Sequence, residues 1–341
     1  MVAPRSRKIP SDPLRIVAIG GGTGLSVLLH GLKPHAGPAG VGLDITAVVT
    51  VTDDGGSSGR LRRDFAVLPP GDIRNCMVAM SEDETLLSRL FQYRFSTGRG
   101  LKGHSFGNLF LTALTDLTGD FAKAVQLSSE VLASCGRIYP STAANVVLEA
   151  LLSDGRVISG ESRISKSKVP IERIRTIPLD CEPIEDTLAA IDGADLITLG
   201  PGSLFTSVIP NLLVKGIPEA IAQSQAIKAY FVNLMWQPGE TMNFRASDHV
   251  AAIHTHAGMP ILDYAMVNTR PITAPLKRRY ATQNAQPVEN DTERLAELGV
   301  KAVGQKFACE GEKVRHDPVA IAEIALRLAG EGRRRKLRLN G

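Results

Sequence analysis

Three stretches of the chain place glycine, acidic and hydroxyl residues directly behind apolar runs, where a backbone turn can present them to a ligand. In the first, "GGGTG" (20–24) follows the β-branched run "RIVAIG". Glycines there allow a tight turn and close backbone approach, and a helix starting behind them offers unpaired N–H groups and a positive dipole end to an anion. Gly21, Gly22 and Thr23 are therefore candidate contacts for a phosphate or nucleotide, although such turns also merely join a strand to a helix. In the second, "TVTDDGGSSGRLRR" (50–63), Asp53 and Asp54 come directly after a strand. Strand alternation sends them to different sides, one toward a site and one toward the loop's own backbone. A carboxylate facing inward could accept ribose or sugar hydroxyls, or hold Mg2+ against phosphates. Arg62, with Arg60 and Arg63, could neutralise phosphate. The alternative is that the acids and serines cap the next helix. In the third, "GPGSLFTSVIPNLLV" (200–214), Gly202 and Ser203 open another helix with Ser203 as N-cap candidate and Thr206 one turn on. A second helix start beside the first would suit a diphosphate; a plain capped turn is the simpler account.

Two further polar segments, "PPGDIRN" (69–75) and "GLKGHSFGN" (100–108), introduce helices and supply Asp72, Arg74, Asn75, His104, Ser105 and Asn108 as donors and acceptors. Helix capping accounts for at least half of these. His249, His254 and His256 invite a metal reading, but positions 249 and 256 are two turns apart and no carboxylate completes a triad, so no metal site is expected. The first glycine turn lacks GxGxxG, which argues against a nicotinamide dinucleotide site, and with no P-loop or HExxH and no recognisable His/Asp partner for the serines, nucleophilic hydrolysis is unsupported. Trp236 reads as a packing residue, with stacking on a base as the alternative.

The elements that must position these residues alternate. "RIVAIG", a glycine turn, a helix after Leu25 and "DITAVVTV" (44–51) make a βαβ unit, which implies parallel pairing. Helical segments follow over about 65–150, then a polar hairpin and an extended segment around 155–180. The alternation then returns with "DLITLG", "KAYFVNLM" and "DYAMVNT" as strands between helices. The expected fold is α/β, a Rossmann-like, doubly wound, mostly parallel sheet with a helical insertion. One domain spanning 14–330 is favoured, between a disordered extension (1–13) and a basic tail (331–341).

With 341 residues, the chain can bury a full core. Hydrophobic residues at 43% and charged residues at 22% fit a soluble α/β protein, and no window approaches the roughly 18–20 apolar residues of a membrane span. The polar start shows no secretory h-region, so a cytoplasmic location is expected. Cys76, Cys135, Cys181 and Cys309 are scattered, which fits buried thiols rather than disulfides or a zinc ribbon. Net charge is +4, and the arginine-rich end accounts for it; a solvated, frayed terminus is the default reading and nucleic acid is not an expected partner.

Together, "IGGGTGLSVLLHGLK", "ITAVVTVTDDGGSSGRLR", "PPGDIRN", "GHSFGN" and "ADLITLGPGSLFTSVIPNLLV" resemble the gluconeogenesis factor family of the CofD-like superfamily, over about residues 14–330. The resemblance implies a cytoplasmic regulator that binds nucleotide sugars, chiefly UDP-N-acetylglucosamine, with roles in carbon metabolism, cell shape and peptidoglycan synthesis. It implies no required cofactor and no catalysis, with Mg2+ compatible, regulatory proteins as partners and a homodimer left open. It also brings in a tyrosine and an arginine from the C-terminal part, matched by Tyr280 in "RRYATQNAQPV" and Arg315 in "VRHDP". The related CofD enzymes transfer 2-phospho-L-lactate, and have a shorter acidic element and a "PDLD" type motif where this chain has "TDDGGSSGRLR" and "PPGDIRN". That departure favours the regulator over the alternative, a transferase of a phospho-containing group from a nucleotide donor.

Overall fold

Strands buried on both faces carry unbroken apolar runs, whereas strands with one wet face alternate. Both kinds occur in the computed structural model, which describes residues 12–37, 42–81 and 86–339. The first half runs β1 (Leu14–Gly20), α1 (Gly22–Leu32), β2 (Leu43–Val49), α2 (Gly56–Phe65), α3 (Gly71–Met80), α4 (Leu86–Gln92), α5 (Phe106–Thr118), α6 (Phe121–Val131), β3 (Arg137–Pro140), β4 (Val147–Leu152), β5 (Val157–Ser159), α7 (Glu161–Ile164) and β6 (Ile171–Ile177). The second runs α8 (Glu185–Gly193), β7 (Leu196–Leu199), a π-helical turn (Leu204–Val208), α9 (Ile209–Leu212), α10 (Ile217–Gln223), β8 (Ile227–Phe231), α11 (Ala246–Ala257), β9 (Tyr264–Asn268), α12 (Ala274–Ala281), α13 (Thr292–Glu297), β10 (Lys301–Gln305), β11 (Ala308–Glu310), β12 (Val314–His316) and α14 (Pro318–Leu339).

Among the described residues the main sheet has seven strands in the order β10-β9-β8-β7-β1-β2-β3. Every neighbouring pair is parallel. The residues of β7 and β8 are all buried, as helices on both faces require. β4 is different: its burial alternates along the strand, and it is the middle of a small antiparallel sheet, β5-β4-β6, that leaves one side wet. The fold is thus the expected Rossmann-like α/β arrangement. β1 lies between β2 and β7, so successive connections leave it in opposite directions and a crevice opens between the loops that follow β1 and β7.

Two segments differ from the sequence reading. The helices α2 to α6 cover 56–131 and then feed β3, the edge strand of the main sheet, so the stretch read as an insertion over about 65–150 returns into the sheet. Of the N-terminal extension, residues 1–11 lie outside the described residues. The residues read as a basic tail continue α14 as far as Leu339. Arg333 is the physical reason: it forms a two-pronged ion pair with Asp195, at 2.9 and 2.7 Å, and Asp195 is 2% exposed. Asp195 also accepts the Arg15 N–H at 2.9 Å, which ties α14 to the start of β1. A charge run that looks solvated in sequence is here partly spent on a buried carboxylate. No single helix among the described residues is long and apolar enough to cross a membrane.

Candidate functional site

A cleft of about 700 Å3 opens at the carboxyl ends of β1 and β7. Two glycine turns form its floor, pressed back to back. A Cβ on Gly24 would stand 2.4 Å from the Pro201 carbonyl oxygen and 2.7 Å from the Gly202 Cα, so only glycine lets the loops meet. α1 starts at Gly22 with Gly21 as its N-cap and no side-chain cap of its own. The Gly22 N–H donates instead to the Asp72 carboxylate, which arrives from the first turn of α3.

The wall behind β7 departs from the expected capped helix. Ser203 precedes a π-helical turn and makes no cap bond; its Oγ accepts from Gln237 Nε2 at 2.7 Å. Gln237 Oε1 accepts from Asn233 Nδ2 at 2.8 Å, and Asn233 Oδ1 from the Tyr230 hydroxyl at 3.3 Å. This relay fixes the side chains that face the turn of α1. Thr206 also points at the cleft, and its hydroxyl donates to Glu240 Oε1 at 3.2 Å.

Four carboxyl groups gather on one side: Asp53, Asp72, Glu161 and Glu240. Burial and the neighbouring Asp53 charge push Asp72 up to about 6. Burial, with Asp53, Asp72 and Glu240 behind it, pushes Glu161 up to about 9. Glu161 therefore holds a proton at neutral pH. Burial raises Glu240 as well, against hydrogen bonds from Thr206, the Phe205 N–H at 3.3 Å and the Ser165 hydroxyl at 3.3 Å. Facing them is the β11–β12 hairpin, which brings Lys313 and Arg315 to the opposite rim. Tyr280, near the end of α12, accepts the Val314 N–H on its hydroxyl at 2.9 Å and so anchors that hairpin. His316 packs flat on Phe307 and is depressed to about 4 by burial.

Of the candidates named from sequence, Gly21, Gly22, Thr23, Asp53, Asp72, Gly202, Ser203, Thr206, Tyr280 and Arg315 line this cleft. Five do not. Asp54 turns away and accepts the Ser162 N–H at 2.8 Å. Arg62 donates to the Val146 carbonyl, with burial lowering its pKa. His104 shares a hydrogen bond with Ser57 at 3.0 Å, and Asn108 is buried in α5. Asn75 lines the neighbouring cavity beside Arg74. The acids and serines after β2 do not cap α2, whose N-cap is Gly55 without a side-chain bond. Asp53 accepts the Gly55 N–H, and Ser58 accepts the Gly71 N–H, tying α2 to α3. Trp236 lines the cleft while its indole N–H donates to the Phe244 carbonyl at 2.9 Å. The histidines of α11 serve its packing: His249 and His256 each bond a carbonyl one turn back, and His256 Nε2 accepts the Ile174 N–H.

Glu161, Glu240, Gln237, Asn233 and Lys313 were not singled out in the sequence. Asn233, Gln237 and Glu240 share the β8–α11 connection, Glu161 opens the short α7 and Lys313 sits in the β11–β12 turn, with no local pattern to mark them beyond the acid in "PGET" beside Trp236.

The model of the 2-phospho-L-lactate transferase CofD family matches residues 16–308. A putative gluconeogenesis factor of Nostoc is 50% identical over 319 residues, covering 93% of this chain and 69% of that protein. The gluconeogenesis factors of Halalkalibacterium halodurans and Bacillus subtilis are 47% and 45% identical, covering 91% and 93% of this chain and 95% and 98% of theirs. A crystal structure of a Bacillus halodurans protein superposes with a TM-score of 0.88 at 46% identity, covering 92% of this chain and all of that one. With its sheet order, its glycine turns and its full-length relatives in agreement, the chain belongs to the gluconeogenesis factor family of the CofD-like superfamily.

Proposed function

We propose that the cleft binds a UDP-sugar, UDP-N-acetylglucosamine foremost, as a regulatory ligand. In this reading the protein acts in the cytoplasm on gluconeogenic growth, cell shape and peptidoglycan synthesis by changing its contacts with partner proteins. The observation that carries the reading is the division of the cleft: two close-packed glycine turns with the Lys313 and Arg315 rim suit a diphosphate, and proton-bearing carboxyl groups suit sugar hydroxyls. The names of the relatives support the gluconeogenic part. No resident cofactor is needed. Among the described residues no group of three His, Cys, Asp or Glu is set to hold a metal, so Mg2+ would enter with the diphosphate, beside Asp53 and Asp72.

A second reading, group transfer from a nucleotide donor, is favoured by one observation: Asp72, held near 6 beside Asp53, is poised to exchange a proton within the cleft. Calorimetry with UDP-N-acetylglucosamine, GDP and NAD, each with and without Mg2+, separates the two when paired with chromatography of the nucleotide. Binding of the UDP-sugar without turnover is expected, with Arg315→Ala weakening it about tenfold, as loss of a charge-assisted contact does. Absence of binding to any UDP-sugar overturns the proposal, and turnover of the nucleotide moves it to the transferase reading.

A further inference from the structure

Beside the cleft lies a cavity of about 570 Å3, between α1, α3, the α4–α5 connection and the β11–β12 hairpin. The two spaces share a wall made by Thr23, Val27, Arg315 and His316. Their charge is opposite in kind. Three guanidinium groups, those of Arg74, Arg94 and Arg315, line the cavity, and no carboxylate does among the described residues.

Arg74 is built into place. A Cβ on Gly107 would stand 3.0 Å from the Arg74 Cδ and 2.8 Å from the Phe91 ring, so the glycine at the start of α5 gives the arginine its passage. Its Nε is buried with no hydrogen-bond partner, and its Nη2 donates to Asn75 Oδ1. Arg94 donates to the Gly103 carbonyl at 2.7 Å. Among the described residues neither arginine forms an ion pair. Burial and the Arg94 charge lower the pKa of Arg74 more than the Asp72 and Asp53 charges raise it, an imbalance that an anion in the cavity would relieve.

We propose that this cavity is an anion subsite next to the nucleotide cleft, in which Arg74 and Arg94 hold the phosphate or carboxylate of a small metabolite. The inference does not depend on what the cleft binds. The oxyanion comes from one of two sources: a free metabolite, or a carboxylate on the nucleotide's own sugar that reaches past Arg315.

The test titrates inorganic phosphate into the full chain and into Arg74→Gln, Arg94→Gln and, as a control on an exposed arginine of α14 away from the cavity, Arg327→Gln. Phosphate affinity is expected to fall about tenfold in each of the first two variants and to stay unchanged in the third. Arg94 is exposed, so Arg94→Gln keeps the test decisive should Arg74→Gln fail to fold. UDP-glucuronate and UDP-glucose are compared in parallel. Tighter binding of the glucuronate that disappears in Arg94→Gln assigns the anion to the nucleotide's sugar. Equal affinities with phosphate binding still sensitive to Arg94 assign it to a free metabolite. Arg94→Gln that folds and binds phosphate like the parent, with no preference for the glucuronate to lose, overturns the subsite. Failure of UDP-glucose to bind counts against the nucleotide reading alone, because the phosphate titration decides the subsite by itself.

Discussion

Gly24→Ala sets two effects against each other. Alanine is favoured over glycine inside a helix by about 1 kcal/mol, and no unusual backbone angle at position 24 opposes it, so propensity alone predicts a more stable protein. The packing predicts the reverse. The new Cβ would lie 2.4 Å from the Pro201 carbonyl oxygen, where 3.4 Å begins ordinary contact, and the obstructing atoms are backbone. The loops after β1 and β7 must then separate by about 1 Å, and overpacking of this kind costs about 1–3 kcal/mol. The net expectation is a loss of up to about 2 kcal/mol in stability. The effect on the ligand is larger. A 1 Å shift stretches an N–H···O contact of about 2.9 Å beyond hydrogen-bond range, and a bond to a charged group contributes about 1.5–3 kcal/mol. Affinity for UDP-N-acetylglucosamine should drop about 10- to 100-fold. Denaturant unfolding and calorimetry on the same preparation read both numbers. A variant that is as stable as the parent or more so, and binds the nucleotide within about twofold of it, refutes the claim that contact between the two turns shapes the site.

Two further expectations concern charge. Asp195→Ala leaves Arg333, 16% exposed on its side chain, without its carboxylate partner, and should destabilise the fold by about 3–5 kcal/mol in urea unfolding; an unchanged midpoint would show that the end of α14 contributes nothing to the core. Glu161 binds a proton in the folded state up to about pH 9, whereas an ordinary glutamate releases it above about 4.5. Between those values the folded state holds more protons than the unfolded one, so stability falls as pH rises. Glu161→Gln should flatten the stability profile from about pH 5 to 9, by at most about 1.4 kcal/mol per pH unit. Parallel profiles of parent and variant would place Glu161 in solvent.

The elements were legible wherever a signal is local. The β-branched runs ahead of residues 20, 52 and 200 could hardly be anything but buried strands, and the topology of such a sheet brings the ends of β1 and β7 together. What sequence could not supply is direction. Asp53 and Asp54 are adjacent and alternation separates them, but only the position of α7 tells that Asp54 is the one spent on the Ser162 N–H. Arg62, His104 and Asn108 carry suitable chemistry, but Arg62 is turned to the Val146 carbonyl, His104 to the Ser57 hydroxyl, and Asn108 into the buried face of α5. The relay from Tyr230 to Ser203 joins residues of two separate strand ends and has no sequence period at all. Tyr280 and Arg315 entered through family resemblance; physical reasoning on the short β11–β12 hairpin would not have selected them, because three-residue strands rise little above the noise of turns.

A carboxyl-rich wall beside an anion-binding turn looks self-defeating, since two like charges 4 Å apart repel by about 4 kcal/mol at an effective dielectric of 20. Burial removes most of the conflict. Glu161 keeps its proton, Glu240 is shifted the same way, and Asp72 is half neutralised near pH 6 while it accepts the Gly22 N–H. A carboxyl group that retains its proton donates as well as accepts, which matches hydroxyl and amide groups and is indifferent to phosphate charge. Attraction for phosphate is left to Lys313 and Arg315 on the opposite rim. The proposed ligand therefore acquires a direction in the cleft, with its diphosphate along the glycine turns toward the hairpin and its sugar against Glu161 and Glu240. The hairpin carrying Arg315 is held to the cleft by the Tyr280 hydroxyl and by His316, whose ring N–H donates to the Val232 carbonyl at 3.3 Å. Further bonds fix its first strand, with Arg270 donating to the Ala308 carbonyl at 3.1 Å and Glu310 accepting the Thr273 N–H at 2.7 Å, so the rim charge is carried by a hairpin tied down along both strands.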